Sequence, residues 1–336
     1  MQLSTDHHAI YAAVELGSDS FRLHVGRFED GQLHLLATLA EPVRLAATLD
    51  ADGMLCAAAM REALGCLGAF RAALEAWRPR AVRVVATTAL RMARNAALFL
   101  PAAGQALGRP VEIIPGDEAG RLVYLGVAST LGDDEGDEDG ERGARRLVVD
   151  IGSGATELVL GQGRAIRRIE SFAVGAVRQG LTFFADGRLD AAGFEAAVRS
   201  GRSRFAEARL GAHGWPLAHG ACGTVRALAE IAHAQGLDGE RLDRASLARL
   251  REAFIAAGHV ARVRQEWPAA ARASHLPGGL ALLIALMEEL DIAEVAPVHA
   301  GLRVGALWDL HRRAAPHERT PGAATQGSLP DPLGVD

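Results

Sequence analysis

Two segments of the chain carry one pattern, and this repeat constrains the fold more than any other feature of the sequence. The first segment runs from Val14 to Gly26 and the second from Val149 to Gly161, and they align without a gap. Each reads as an apolar strand ending in an acid, a Gly-Ser turn and a second β-rich strand, which predicts a β-hairpin. Chance likeness of short hairpins is the alternative, but the matched acid, glycine, serine and closing glycine favour duplication. The repeat therefore predicts two related halves that mix helices and strands.

The Gly-Ser turns are candidate anion-binding sites. A turn of small residues leaves backbone N–H groups uncovered, and such groups hold phosphate oxygens. Two turns from facing halves would hold a polyanion from both sides of a cleft. An acid beside a phosphate needs a divalent cation between them, so Glu15, Asp150 and Glu157 are predicted to bind Mg²⁺. Glu157 follows Asp150 on the outgoing strand and faces the same site only if the turn resets the strand alternation.

Two strand-to-helix junctions add further candidates. Gly223-Thr224 begins a predicted helix, whose free N–H groups and dipole attract anions, although such junctions are common in α/β proteins. Arg91 lies in a predicted helix over Thr88–Leu100 and is able to bind a phosphate through two N–H groups; the alternative is a surface arginine. Together with both turns, these junctions give a predicted phosphate-binding set of Gly17, Ser18, Asp19, Ser20, Arg22, Arg91, Gly152, Ser153, Gly154, Thr156, Gly223 and Thr224.

The segment from Gly116 to Arg121 follows a strand and begins a helix. A carboxylate of Asp117 or Glu118 is a candidate general base toward a water molecule. The alternative is structural, with Asp117 as the N-cap and Glu118 near the positive end of the helix. Taken by itself, the segment favours the structural role.

Composition excludes several functional classes. All 36 basic residues are arginines, so a phosphate-binding loop that needs lysine is ruled out. The net charge of −5 argues against nucleic-acid binding, which needs a basic face. No apolar run is long enough to span a membrane and no signal region is seen, so we expect neither a membrane partner nor secretion. Cys56, Cys66 and Cys222 read as reduced thiols, which predicts a cytoplasmic protein.

The chain is predicted to form two domains joined by a flexible segment. Residues 1–131 and 145–313 hold one hairpin each. Residues 132–144 are acidic and Gly-rich, and we interpret them as a solvated linker rather than a metal-binding loop. Residues 314–336 are polar and rich in Pro and Gly, which predicts disorder. Whether the chain forms a homodimer is left open.

Six motifs follow one another along the chain, from Tyr11 to about Leu310. In this order they resemble the exopolyphosphatase / guanosine pentaphosphate phosphohydrolase family. The resemblance implies an α/β fold of two ribonuclease-H-like domains around a central cleft, the fold of actin, sugar kinases and heat-shock ATPases. The motifs are ELGSDSFR (Glu15–Arg22), TTALR…N…F (Thr87–Phe99), IIPGDEAGRLVYLGV (Ile113–Val127), VVDIGSGATELVLG (Val148–Gly161), GACGTVRALA (Gly220–Ala229) and LPGGLALL (Leu276–Leu283).

The resemblance also implies a reaction. In the family, water assisted by Mg²⁺ attacks a terminal phosphoryl group of polyphosphate or of guanosine pentaphosphate, and a glutamate serves as base. Ala119 stands where that glutamate is expected, and a missing base lowers a rate by ~10²–10⁴-fold. Glu118 or Asp117 would then be the substitute. Further departures from the family pattern are Glu15, Asp19, Ser153, Ala155 and Val304.

Two functions therefore compete. The first is a Mg²⁺-dependent exopolyphosphatase-like hydrolase acting in the cleft between the domains. The second is a catalytically weak or silent protein that binds polyphosphate or a guanosine alarmone, which Ala119 and Val304 favour. A kinase or ATPase of the same fold is disfavoured, because the series of six motifs is similar to a different family.

Overall fold

The computed structural model of the protein describes residues 9–50, 52–132, 143–210, 214–238, 240–272 and 275–314. Most of the predicted acidic linker and of the predicted disordered C-terminal segment lies outside these residues. Within them, no helix combines the length and the apolar character needed to cross a membrane.

Strands and helices alternate along the described residues. The strands are β1 (Ile10–Leu16), β2 (Ser20–Glu29), β3 (Gln32–Pro42), β4 (Ala81–Ala86), β5 (Glu112–Ile113), β6 (Arg145–Ile151), β7 (Thr156–Gln162), β8 (Ala165–Phe172), β9 (Trp215–Gly220), β10 (Leu242–Asp243) and β11 (Ile292–Pro297). The α-helices are α1 (Ala57–Trp77), α2 (Thr88–Met92), α3 (Ala96–Leu107), α4 (Gly116–Leu131), α5 (Ala176–Phe183), α6 (Ala191–Phe205), α7 (Gly223–Ala234), α8 (Arg244–Ala257), α9 (Val260–Glu266), α10 (Pro268–Arg272), α11 (Leu276–Glu289) and α12 (Leu302–Ala314).

The two sheets repeat one topology. The first has the order β3-β2-β1-β4-β5, in which β1, β2 and β3 are antiparallel neighbours and β4 and β5 run parallel to β1. The second has the order β8-β7-β6-β9-β11 with the same directions, and β10 adds an antiparallel edge. This repetition confirms the predicted duplication and the two ribonuclease-H-like halves.

The register of the two hairpins places matched residues side by side. Glu15 is paired with Arg22 across β1 and β2, and Asp150 is paired with Glu157 across β6 and β7. Directly opposed residues of antiparallel strands have their side chains on the same face. Glu157 therefore shares a face with Asp150, and the condition that the sequence left open is met.

Three apolar cores hold the molecule together. Helices α1 and α3 cover the first sheet and bury Phe70 and Phe99, whereas α6 and α8 help to cover the second and bury Phe194 and Phe254. Each such ring contributes ~1.5–3 kcal/mol to stability. The third core lies between the sheets, where α12 packs on β1 and β2, α4 packs on β7 and β8, and the two helices pack against each other. Helix α4 thus follows the first half in sequence but packs on the second sheet, whereas α12 follows the second half and packs on the first sheet.

Helices α4 and α12 cross at glycines. A Cβ atom on Gly305 would overlap the carbonyl group of Leu122, and a Cβ atom on Gly126 would overlap the carbonyl oxygen of Gly301. Two backbones approach this closely only where side chains are absent. The crossing therefore sets the position of the first turn of α12, which borders the cleft between the halves.

Two local predictions are wrong. The single helix predicted over Thr88–Leu100 is two helices, because the buried amide of Asn95 bonds both the N–H and the carbonyl of Leu55 at 2.9 Å and interrupts the helix. The predicted N-cap Asp117 lies inside α4, which begins at Gly116 with Pro115 in the capping position. The negative charge of the Asp117 carboxylate still stabilises the first helical turn, because it lies near the positive end of the helix dipole.

Candidate active site

A cavity of about 370 Å³ opens between the two halves. The two hairpin turns, the N-termini of α7 and α12 and the first turn of α4 border it. All site residues predicted from the sequence line this cavity except Asp117, Glu118 and Thr156. The two turns of the repeat therefore meet at one site.

Both turns leave backbone N–H groups uncovered. In the first turn the Gly17 N–H donates to the Ser20 carbonyl at 3.2 Å, and in the second the Gly152 N–H donates to the Ala155 carbonyl at 2.9 Å. Within the described ranges, the N–H groups of the two central residues of each turn donate to no other backbone group. Free N–H groups that converge in this way form a concave site for an anion.

Ser18 of the first turn also supports α2. Its Oγ accepts a hydrogen bond from the Ala89 N–H at 3.1 Å, whereas Thr87 in the N-cap position makes no side-chain bond of this kind. A serine oxygen is a favoured partner for an N–H at a helix start. The hydroxyl proton of Ser18 is left for a ligand in the cavity.

The two turns approach each other at Gly154. A Cβ atom on Gly154 would lie 2.9 Å from Thr88 Cγ2 and 3.1 Å from Ser18 Oγ, both in the other half. Such distances are shorter than carbon and oxygen atoms tolerate without moving. Glycine at this position therefore allows the second turn to come close to the first.

The N-terminus of α7 contributes a third group of N–H donors. Cys222 caps the helix, because its Sγ accepts a hydrogen bond from the Val225 N–H at 3.4 Å. Burial raises the pKa of the Cys222 thiol to about 11. The Thr224 hydroxyl donates to the Ile151 carbonyl at 3.1 Å, so this side chain braces the strand. The backbone N–H groups of Gly223 and Thr224 are the donors that face the cavity with the positive end of the helix dipole.

Thr156 does not belong to the site. Its hydroxyl donates to the Val174 carbonyl at 2.7 Å, and the residue is fully buried. Thr156 precedes Glu157 in β7, and neighbouring strand residues point to opposite faces. The strand alternation that brings Glu157 to the cleft therefore directs Thr156 into the core.

Glu118 and Asp117 also lie away from the cavity. The Glu118 carboxylate accepts hydrogen bonds from Arg83 Nη2 at 2.6 Å and from Arg121 Nε at 2.6 Å, and both arginines also bind Asp309 at 3.0 Å. Burial alone would raise the pKa of Glu118, but the bonds from Arg121 and Arg83 outweigh it and hold the pKa below its usual value. A carboxylate held in this way is a weak proton acceptor, so the substitute-base role suggested for Glu118 has no geometric support.

Asp150 and Glu157 form a pair of carboxylates at the cavity, of which Glu157 is buried and Asp150 half-buried. Burial raises the pKa of Asp150, and the nearby charge of Glu15 adds to this shift. Burial also raises the pKa of Glu157, and the charge of Asp150 adds to it. Ser171 lies opposite Glu157 on β8, and its hydroxyl donates to Glu157 Oε1 at 3.2 Å. Oε2 of Glu157 receives no hydrogen bond from the described residues.

Glu15 has a partner that sequence reasoning missed. Arg303, the second residue of α12, donates from Nη1 to the Glu15 carboxylate and from Nε to His24 Nε2 at 3.2 Å. The side chains of Arg303 and Glu15 are only 16% and 18% exposed, so solvent screens this pair little. Arg303 is therefore fixed to the first sheet although its helix follows the second half.

Three guanidinium groups approach one another beside the acids. Burial lowers the pKa of Arg22, and the charges of Arg303 and Arg226 lower it further. Such mutual repulsion is relieved when an anion binds between the groups. Arg91 also lines the cavity, but its Nη atoms are bonded to the Ile114 carbonyl and the Thr88 hydroxyl. Arg226 belongs to the motif Gly220–Ala229 and Arg303 precedes Val304, but nothing in their spacing indicated that they approach Arg22.

An apolar wall faces these charged groups. Ala119 on α4 and Val304 on α12 both line the cavity and belong to the core between the sheets. They are 5% and 7% exposed, respectively. The wall therefore supplies no group that could take or give a proton.

The donor set partly fits Mg²⁺. This ion binds one or two carboxylates and completes its shell with water and phosphate oxygens. Asp150 and Glu157 offer adjacent carboxylates whose repulsion a divalent cation would relieve, whereas Glu15 is already paired with Arg303. Across the part of the chain that the structure describes, no three His, Cys, Asp or Glu side chains are grouped to hold a metal by themselves. A cation here would depend on ligand oxygens as well.

Comparison with known proteins agrees with this geometry. Residues 24–314 match the Ppx/GppA phosphatase family. The chain is 38% identical over 303 residues to a guanosine-5'-triphosphate,3'-diphosphate pyrophosphatase of Vibrio vulnificus, which covers 90% of this chain and 59% of the relative. A similarly named protein of Vibrio campbellii is 37% identical with the same coverage. The chain thus spans about three-fifths of the length of these curated relatives.

Solved structures show the same fold. An exopolyphosphatase from Cytophaga hutchinsonii superposes with a TM-score of 0.77 at 20% identity, covering 90% of this chain and 98% of that one. The Ppx/GppA family member from Aquifex aeolicus superposes with a TM-score of 0.74 at 22% identity, covering 91% and 99%. Fold, motifs and sequence identity thus agree, and the chain belongs to the Ppx/GppA phosphatase family.

Proposed function

We propose that the chain hydrolyses a terminal phosphoanhydride bond of guanosine pentaphosphate or inorganic polyphosphate in the cleft between its halves. One observation carries the proposal: two turns with unpaired backbone N–H groups and three arginines border a cavity that also contains the carboxylates of Asp150 and Glu157. Donors of this kind bind a chain of phosphates. The carboxylates supply the means to orient and deprotonate water.

The two substrates share the chemistry that the cleft recognises. Both present a terminal phosphoryl group joined by an anhydride bond to further phosphates. The Vibrio relatives are named for guanosine pentaphosphate and the Cytophaga structure for polyphosphate. The higher identity to the Vibrio proteins favours guanosine pentaphosphate as the first substrate to test.

The residues of the cleft would have two kinds of role, phosphate binding and proton transfer. The turn N–H groups and the N-terminus of α7 would hold non-bridging phosphate oxygens. Arg22, Arg226 and Arg303 would offset the charge of the phosphates, and a bound anion would oppose the burial and the repulsion that lower the pKa of Arg22. In phosphoryl transfer, positioning and charge stabilisation account for most of the catalysis.

Asp150 is the residue that would hold Mg²⁺ most directly, with Glu157 beside it. Burial and the charge of Glu15 raise the pKa of Asp150, the charges of Arg226, Arg303 and Arg22 act against this shift, and a bound cation would favour the ionised form. When bound, the ion would neutralise phosphate charge and polarise the attacking water. Glu15 is the less favoured ligand, because Arg303 already binds one of its carboxylate oxygens.

Glu157 would take the proton of the attacking water. Ser171 donates to its Oε1, and Oε2 receives no hydrogen bond within the described part of the chain. Its raised pKa makes it a better proton acceptor near neutral pH than an ordinary glutamate. Glu118 does not compete for the role, because two arginines hold its carboxylate outside the cavity.

A second function, binding without turnover, is favoured by the apolar wall. Ala119 and Val304 place two aliphatic side chains on the cavity. A cleft that keeps its phosphate donors but lacks an efficient base would bind a phosphorylated ligand and release it unchanged. The protein would then act as a sensor of polyphosphate or of a guanosine alarmone.

Phosphate release separates the two functions. Wild-type protein, Asp150→Ala and the control Asp186→Ala, an exposed acid away from the cleft, are assayed on guanosine pentaphosphate and on long polyphosphate with and without Mg²⁺. We expect Mg²⁺-dependent release by the wild type and the control and none by Asp150→Ala. Tight binding with no release above background would establish the sensor instead, and unchanged Mg²⁺ dependence in Asp150→Ala would refute the metal assignment.

A further inference from the structure

We propose that His24 is a positioning residue that holds the guanidinium group of Arg303 so that its free N–H groups face an anionic ligand in the cleft. This inference rests on the proposed function of the cleft as a phosphate-binding site. It concerns the means by which this chain builds the arginine side of that site.

Two bonds fix the plane of the Arg303 guanidinium. Nη1 donates to the carboxylate of Glu15, and Nε donates to His24 Nε2 at 3.2 Å. Glu15 and His24 lie on the neighbouring strands β1 and β2. A guanidinium held at one atom still rotates about that bond, whereas one held at two atoms does not. The planar fork of arginine binds phosphate oxygens best when its orientation is set in advance.

Arg303 keeps donors for a ligand. A guanidinium group has five N–H bonds. The Nε hydrogen binds His24, and one Nη1 hydrogen binds Glu15. The others make no hydrogen bond to a described residue, and the side chain lines the cavity. The two partners thus hold the side chain without exhausting its capacity to bind an anion.

The ring of His24 is suited to accept and not to donate at Nε2. An acceptor nitrogen must be unprotonated, so the bond from Arg303 places the ring proton on Nδ1. Burial lowers the pKa of His24 to about 3, and the charges of Arg303, Arg22 and Arg226 contribute in the same direction. The ring therefore stays neutral, and the acceptor persists, across the physiological range of pH.

Packing alone does not account for a histidine at this position. His24 Nδ1 is buried and has no partner within the described part of the chain, and buried polar atoms are normally bonded. In the repeat, the residue of the second half that aligns with His24 is Val159, which is fully buried. His24 differs from Val159 in being half-buried and in lining the cavity. Its bond to Arg303 is a feature that a valine could not provide.

Binding of inorganic tripolyphosphate without divalent metal tests the role apart from catalysis. Calorimetry is run on wild type, His24→Leu, His24→Gln, Arg303→Leu and the double variant His24→Leu/Arg303→Leu. We expect His24→Leu to weaken binding by about fivefold to tenfold through loss of a bond to a charged group. His24→Gln retains an acceptor and should stay within about twofold of wild type. In the Arg303→Leu background, His24→Leu should change affinity less than about twofold, because contacting residues are not additive.

His219→Leu is the matched control. His219 on β9 is also a half-buried histidine with an unpartnered Nδ1 among the described residues, but it does not line the cavity. Its substitution should leave tripolyphosphate affinity unchanged. Thermal unfolding verifies that each variant is folded. If His24→Leu unfolds, the second variant is His24→Val, which introduces the residue type found at the aligned position of the other half.

Several results would overturn the proposal. One is wild-type affinity for tripolyphosphate in both His24→Leu and His24→Val. Another is a loss of affinity on adding His24→Leu to Arg303→Leu that equals its loss in the wild-type background. A third is a folded His24→Gln variant whose affinity is as low as that of His24→Leu. Wild-type protein that binds tripolyphosphate but releases no phosphate from any substrate would contradict the proposed hydrolysis and leave the role of His24 standing. Absence of tripolyphosphate binding by the wild type would overturn both.

Discussion

Glu157 and Asp150 share a face of one hairpin and yet differ in their surroundings. Burial raises the pKa of both acids, but the charges of Arg226, Arg303 and Arg22 oppose this shift at Asp150. At Glu157 the charge of Asp150 adds to the shift, and the hydrogen bond from Ser171 opposes it. Environments that separate two acids in this way are typical of sites where one acid binds charge and the other exchanges protons.

The variant Glu157→Gln tests whether Glu157 is the acid that exchanges protons. Glutamine keeps an oxygen that is able to bind a metal but no longer accepts a proton from water. We expect kcat for phosphate release to fall by ~10²–10³-fold, while tripolyphosphate binding stays close to wild type. Ser171→Ala, which leaves the acid but removes its orienting bond, should cause a smaller loss. A Glu157→Gln variant with wild-type kcat would show that another group takes the proton.

The methyl group of Ala119 occupies a second informative position. It lines the cavity on the first turn of α4, so a glutamate there would bring a carboxylate to the apolar wall. We expect Ala119→Glu to raise phosphate release by ~10-fold or more, because a positioned base contributes at least that much. The comparison variant is Glu118→Gln, whose side chain lies outside the cavity. It should lower the unfolding temperature through loss of the Arg83 and Arg121 bonds and leave turnover unchanged.

At the scale of elements, the crossing of α4 and α12 sets the geometry of the cleft. Glycines permit the close approach, and charged bonds hold α12 at two further places, Arg303 at its start and Asp309 near its end. Asp309 is 7% exposed and binds Arg83 of β4 and Arg121 of α4. The first turn of α12 is thereby kept against the first sheet, and Arg303 with it.

Gly305→Ala tests this crossing. The added methyl group has to push Leu122 and the α4 backbone away, so we expect a loss of about 3 kcal/mol in the free energy of unfolding. The matched control is Gly65→Ala on the exposed face of α1, where nothing lies within 4 Å of the new methyl group. It should be neutral or gain ~0.5–1 kcal/mol from helix propensity. Equal stability of both variants in urea titrations would refute the close crossing.

Gly154→Ala tests the approach of the two turns. Its new methyl group would meet Thr88 and Ser18 of the other half, which should separate the turns and weaken tripolyphosphate binding by about tenfold, the loss expected when phosphate donors are misplaced. Gly68→Ala, on a helix face with open space around it, is the control and should bind as wild type does. Unchanged affinity in Gly154→Ala would mean that the turns act independently.

At the scale of the whole molecule, the duplicated hairpin accounts for most of what the sequence predicted. An ungapped repeat predicts the same strand directions and turn positions in both halves, so the two turns followed from it, whereas the pairing of Asp150 with Glu157 stayed conditional until the register was known. The same repeat aligns Thr156 with Phe21, a fully buried core residue. That alignment argues against Thr156 as a ligand, and the prediction for Thr156 did not take it into account.

Other features depend on tertiary packing that no local pattern reports. Arg303 reaches Glu15 across 288 positions of the chain, because α12 returns to the first sheet. Glu118 and Ala119 are neighbours in sequence, yet helical rotation turns one toward Arg83 and the other toward the cavity. Residue type and spacing alone could not distinguish the two. The bounds predicted for the domains stay predictions, and α4 and α12 pack across the division between the sheets.

In the proposed function, the two turns and the start of α7 bind the phosphates of the substrate through backbone N–H groups. Hydrogen–deuterium exchange of these amides, with and without saturating tripolyphosphate, measures that contact directly. We expect slower exchange in segments 17–20, 152–155 and 223–225 and little change in helix α1, which does not line the cavity. Tripolyphosphate that binds while these three segments exchange at their unliganded rates would contradict it.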